Sequence, residues 1–133
     1  MNIELTDKEF RRLLDMVYIG NWVLNSTREN DRFADYDIVQ EKLFSLCAKN
    51  GMNKLIQLWH GHIFPSKAYE DGGIHEAIAD YEDAMFFDIL AEELARRDLE
   101  AEGRDDLSAI AAKMDEYLNE FSVNGLDNVK VEL

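Results

Sequence analysis

Thr6-Asp7-Lys8-Glu9-Phe10-Arg11-Arg12-Leu13-Leu14-Asp15-Met16-Val17-Tyr18-Ile19-Gly20-Asn21-Trp22-Val23-Leu24-Asn25 decides the fold. Thr6 and Glu9 stand in a Thr-x-x-Glu capping box, and Leu5 and Phe10 are placed as a hydrophobic staple around it. Phe10, Leu13, Leu14, Val17, Tyr18 and Leu24 then recur at helical spacing. Met16, Ile19 and Val23 fall on another face. A helix apolar on most of its sides is buried on most of its sides. Residues 6–25 are therefore expected to form the central helix, or one that faces a second subunit. Gly20 costs about 1 kcal/mol against alanine in a helix interior. It fits a place where another helix crosses closely.

The rest of the chain extends the helical reading. Residues 26–34 read as a polar loop, and Asp35 as the N-cap of a second helix over 36–49. Val39, Leu43, Leu46 and Cys47 make its stripe, with Asn50-Gly51 as the stop. Asn53 opens a short third helix through Leu58. Residues 59–73 hold the lone proline, Pro65, and close on Gly72-Gly73; they are expected to be irregular and packed over the helices. A fourth helical region runs from Ile74 to Leu99 with the stripe Ile74, Ile78, Tyr81, Met85 and Ile89. Asp83 can cap a new helix there, which would kink the region near 82–84. Glu92 with Arg96, and Glu93 with Arg97, are i,i+4 pairs. A fifth helix spans 105–123, with Leu107, Ile110, Ala111, Met114, Leu118 and Phe121 on one face and a Schellman ending at Gly125-Leu126. Ile3-Glu4-Leu5 and Val129 to Leu133 alternate like strands and would suit a small ribbon. The expected architecture is all-α: one domain over 1–133, an antiparallel helical bundle of about five helices with an irregular central loop.

Charge limits the function classes. The 133 residues carry 28 acids and 14 bases, a net of −14. Residues 67–133 alone hold 19 acids and 6 bases. Nucleic-acid binding draws its affinity from Lys and Arg on phosphate, so it is disfavoured. An anionic membrane surface would repel the chain. A basic protein partner would be attracted. A single cysteine excludes an internal disulfide framework, and the N-terminus carries no secretory pattern. No apolar run reaches membrane-span length. The expectation is a soluble, cytoplasmic protein.

Motifs for chemistry are sparse. In an extended segment His60 and His62 would point to one face, but no third ligand has a fixed spacing, so loop histidines without metal are expected. Glu76, Asp80 and Asp83 share a helix face, as carboxylates that hold magnesium in some all-α nucleotide hydrolases do. Cys47 lies in an apolar stripe and reads as a small buried hydrophobe. Met85-Phe86-Phe87 cannot all face one core surface, because consecutive helical residues point about 100° apart. Trp22 raises the same question on helix one. Trp22, Met85, Phe86 and Phe87 are therefore the candidate interaction residues, for a two-fold dimer centred on Trp22 or Phe87. No catalytic, cofactor or metal residue is assigned.

Tyr81 to Leu99, with its Tyr-Glu-Asp, Phe-Phe-Asp and Leu-Ala-Arg-Arg-Asp-Leu segments, resembles a family of small acidic bacterial proteins of unknown function. Tyr18 to Leu24 and Leu43 to Gly51 are similar to that family too. The His-Gly-His stretch departs from it. The resemblance implies a bacterial, mostly helical domain and supplies no activity. The leading expectation is a non-enzymatic, self-associating interaction module whose acidic half meets a basic partner. The alternatives are a metal-dependent nucleotide hydrolase and a DNA-mimicking inhibitor.

Overall fold

A computed structural model describes residues 1–133. The chain is mostly helical, 68% of its residues, with four helices of more than one turn and a small two-stranded sheet. The order is α1 (Asp7–Asn25), α2 (Ala34–Ser45), β1 (Ile56–Trp59), β2 (His62–Pro65), the single turn α3 (Lys67–Tyr69), α4 (His75–Ala101) and α5 (Leu107–Asn124). No helix is long and apolar enough to cross a membrane. Two compact units divide the chain, Met1–Ile78 and Ala79–Leu133, and the boundary falls within α4.

In the first unit, α1 starts where the capping box places it. Thr6 Oγ1 accepts from the Glu9 amide at 3.2 Å, and Glu9 Oε2 accepts from the Thr6 amide at 2.8 Å. Phe10, Leu14 and Tyr18 are buried against Phe44, Cys47, Tyr69, Ile74 and Ile78. The same face of α1 continues through Asn21 and Asn25, both buried. Asn25 is satisfied on every side: it donates to Asn21 Oδ1 at 2.6 Å and to the Phe33 carbonyl at 3.1 Å, and accepts from the Phe33 amide at 2.8 Å. Asn21 in turn donates to Asp37 and Gln40 of α2. Buried amides are tolerated when their bonds are made, and these tie the 26–33 loop and α2 to α1.

α2 begins at Ala34 without a side-chain cap and ends at Ser45, so Asp35 lies inside its first turn. Its fully buried residue is Phe44; Val39 is exposed, so the expected stripe is rotated. The chain then turns through a short 3₁₀ segment to Gly51, whose φ of 71° suits glycine.

The expected third helix and irregular centre are instead a 3₁₀ turn over Asn53–Leu55 followed by a β-hairpin. Trp59 pairs with His62 across a two-residue turn, His60-Gly61, with φ of 49° and 77°. Two positive φ values are what a tight hairpin turn demands, and glycine takes the second at no cost. The outer edge of β2 is closed: the Ile63 amide donates to Glu41 Oε1 at 2.9 Å, and Pro65 has no amide to offer. Ser66 caps α3 through the Tyr69 amide. Glu70–Ile74 then wind wider, with Gly73 at φ 110°, before α4 begins.

The second unit contains α4 from Ala79 onward and α5. Ala95, Leu99 and Ile110 form its buried cluster, with Ala109 and Met114 packed on it. Ala91 and Phe121 are buried as well, and Phe121 meets Phe87 at 5.4 Å between ring centroids. α4 is one helix through 82–84; Asp83 caps nothing. It ends in a Schellman motif at Gly103, with Gly103 donating to the Glu100 carbonyl and Arg104 to the Leu99 carbonyl. Asp106 caps α5 through the Ala109 amide. Gly125 makes one bond, to Phe121, so the ending expected there lacks its second bond. Glu92 pairs with Arg96 at 2.9 Å, but Arg97 turns to Asp98 rather than Glu93. Ile3–Leu5 and Val129–Leu133 form no strand.

Candidate interaction surface

α1 carries two apolar faces. One holds Phe10, Leu14 and Tyr18 and is buried. Opposite it stand Met16, Ile19 and Val23, at i, i+3 and i+7, exposed at 70%, 36% and 68%. Gly20 lies beside them. A Cβ built there would touch nothing within 4 Å, so no helix crosses it and the backbone is open to an approaching group. At the N-terminal end Ile3, Leu5, Leu13 and Met16 line an open depression of 370 Å³. The second face was legible in the periodicity; its exposure was not.

Trp22 sits on the flank of this surface, 38% exposed. Its ring stacks on Tyr18 at 6.2 Å and meets His75 edge-on at 4.8 Å. The Tyr18 hydroxyl lies 2.7 Å from His75 Nε2. Burial, reinforced by the Glu70 charge, pushes the Tyr18 phenol up to about 12. Tyr69 donates to Asp15 at 2.8 Å, and the Arg11 guanidinium, 2.6 Å from Asp15, lies over the Tyr69 ring. Burial is the main cause that raises the Tyr69 phenol, with the Asp15 bond second. These groups hold one another in place. Cys47 is fully buried, and burial raises its thiol.

The remaining candidates separate. Phe87 packs on Phe121 within the α4–α5 hairpin, Met85 is half-buried and Phe86 is 48% exposed. His60 and His62 do not share a target. His60 lies against Trp59 at 3.9 Å, and His62 Nδ1 is 3.2 Å from Glu41. The extended geometry that would have aligned them is broken by the turn between them. The Ile63 amide, then His62, holds the Glu41 carboxyl below its ordinary range. Glu41 and His62 border a cleft of 590 Å³ with Arg32, Asp37 and Phe64. Arg32 and Asp37 pair with each other at 2.8 Å, so the charges of this cleft are mutually satisfied. Glu76, Asp80 and Asp83 are all exposed. No three His, Cys, Asp or Glu side chains converge closely enough to hold a metal ion.

No family model matches the sequence, and no curated protein or solved structure is recognisably similar to it.

Proposed function

We propose that the protein is a non-enzymatic interaction module that pairs with a second copy of itself through the outer face of α1. The exposure of Met16, Ile19 and Val23 opposite the buried face carries this reading. Clustered apolar side chains left in water favour association. Gly20 adds a notch in which a second helix can approach the backbone. Charge permits the contact here. Residues 1–78 hold 12 acids and 9 bases, against 16 and 5 in residues 79–133. A two-fold axis is the commonest way to close such a contact. α1 is 19 residues, about 28 Å long, so the seam is small. Trp22 borders the seam rather than forming its centre. The hydrolase reading rests on Glu76, Asp80 and Asp83, whose exposed carboxylates form no convergent set, and is supported less.

Disulfide trapping tests the seam. The native cysteine is buried, so Ile19→Cys supplies the one accessible thiol. Under mild oxidation Ile19→Cys should accumulate as a covalent dimer, while Ser108→Cys on α5 should not. Equal trapping at both positions, or none at Ile19→Cys, would refute the seam.

A further inference from the structure

The apolar stripe of α4 starts in a core and ends in water. Ile74 and Ile78 are buried with Phe10 and Leu14 in the first unit. Tyr81 and Ile89, on the same stripe in the second unit, are 64% and 57% exposed, and Met85 between them is half-buried. The second unit buries the small residues Ala91 and Ala95 instead. That leaves an unpartnered ridge of about two turns, continuous in sequence with a packed one.

The charge around this ridge has one sign. Neighbours on a helix surface lie three and four residues apart. For Met85 these are Tyr81, Glu82, Asp88 and Ile89; for Ile89 they are Met85, Phe86, Glu92 and Glu93. Every neighbour is therefore apolar or acidic. No lysine or arginine occurs between Lys67 and Arg96, while nine acids do. A second copy laid on this ridge would set acid against acid. A segment with an apolar stripe and basic rims would meet both the ridge and its edges.

We infer that the Tyr81–Met85–Ile89 ridge of α4 is the docking site for a basic amphipathic helix of another protein. This deepens the interaction reading but uses a surface separate from the α1 seam. Apolar contact supplies the register and the acidic rims select the partner's charge.

The probe is a synthetic peptide of about 18 residues, five helical turns, with Leu at helical spacing and Lys elsewhere. Titration calorimetry on the full chain should show saturable binding that weakens as salt is raised, because screening acts on the rims. Ile89→Ser and Tyr81→Ser change exposed side chains, and each should raise Kd at least about tenfold. Asp88→Lys, which leaves the apolar residues in place, should also weaken binding. Met16→Glu combined with Val23→Glu should leave it unchanged, so loss of the α1 seam and loss of this site can be told apart. The proposal is overturned by no binding, or by equal binding of a scrambled peptide of the same composition. Equal binding of a Leu/Glu peptide overturns it as well. So does a change of oligomeric state in Ile89→Ser, which would make the ridge a contact between copies.

Discussion

Leu14 and Met16 stand two residues apart on α1 and on opposite sides of it: Leu14 has no exposed surface, and Met16 keeps 70% of its own. A helix that encloses one apolar face and displays another has two jobs. The first is done within the chain, against Phe44 and Tyr69. On the proposed reading the second is met by another copy of the chain, and Gly20, whose Cβ position has nothing within 4 Å, is where that copy would come close.

Asn25 should be the most sensitive polar residue of the first unit. It holds the amide and carbonyl of Phe33 together, at 2.8 and 3.1 Å. Asn25→Ala leaves both without their partner and should cost about 1–3 kcal/mol. Urea denaturation checks the value, and hydrogen exchange at the Phe33 amide should speed up in the same variant. An unchanged midpoint would show that water replaces the clamp at no cost.

Raising the pH from 10 toward 12 should loosen the first unit. An ordinary tyrosine ionises near 10.0, whereas burial and Glu70 hold the Tyr18 proton to about 12. The stabilisation is present in full below pH 10 and is lost as pH rises toward 12, on the order of 2–3 kcal/mol for this one group. Burial and the Asp15 bond move Tyr69 in the same direction. The slope of Tm against pH in this window should flatten in Tyr18→Phe and in Tyr69→Phe. Unchanged slopes in both would show that other groups drive the transition.

The second unit should resist enlargement at Ala95. That side chain is fully buried in the cluster with Leu99 and Ile110. Ala95→Leu adds bulk where none fits and should cost about 1–3 kcal/mol in chemical denaturation. A neutral result would mean the packing is looser than its burial indicates.

Cys47 should be silent while the protein is folded. It has no exposed surface, and burial raises its thiol, so the thiolate is scarce as well as covered. An aromatic disulfide reagent should label it only at the rate of opening, and at once in denaturant. Fast labelling of the native protein would mean that the core around Phe44 opens readily.

Local signals explain what the sequence made legible. Thr6 and Glu9 sit three residues apart and bond each other, so the start of α1 can be read from residue types alone. The ends of α4 and α5 follow their periodicity to within two residues. The hairpin was hidden because His60-Gly61 replaces the usual Asn-Gly, and Leu58 continued an apparent helix. Ile56 to Trp59 and His62 to Pro65, rich in aromatic and β-branched residues around that glycine, were the available clue. The role of Asn25 was illegible because its partner Phe33 is fixed by the course of the following loop. The periodicity of large residues draws the expected α4 stripe through Tyr81 and Ile89, which the structure leaves exposed. Close packing selected Ala91 and Ala95 instead. Among the four interaction candidates, Phe87 is taken up by Phe121, and Trp22 borders the proposed seam.

Sedimentation equilibrium across the micromolar range, at low and high salt, decides whether the outer face of α1 pairs with a second copy. A chain of net charge −14 repels its own copies, and screening weakens that repulsion. A reversible monomer–dimer equilibrium that tightens with salt is expected. Met16→Glu combined with Val23→Glu should be a monomer throughout with its helicity intact. A wild-type chain that stays monomeric at both salt concentrations, or a dimer that survives the double substitution, would contradict the pairing.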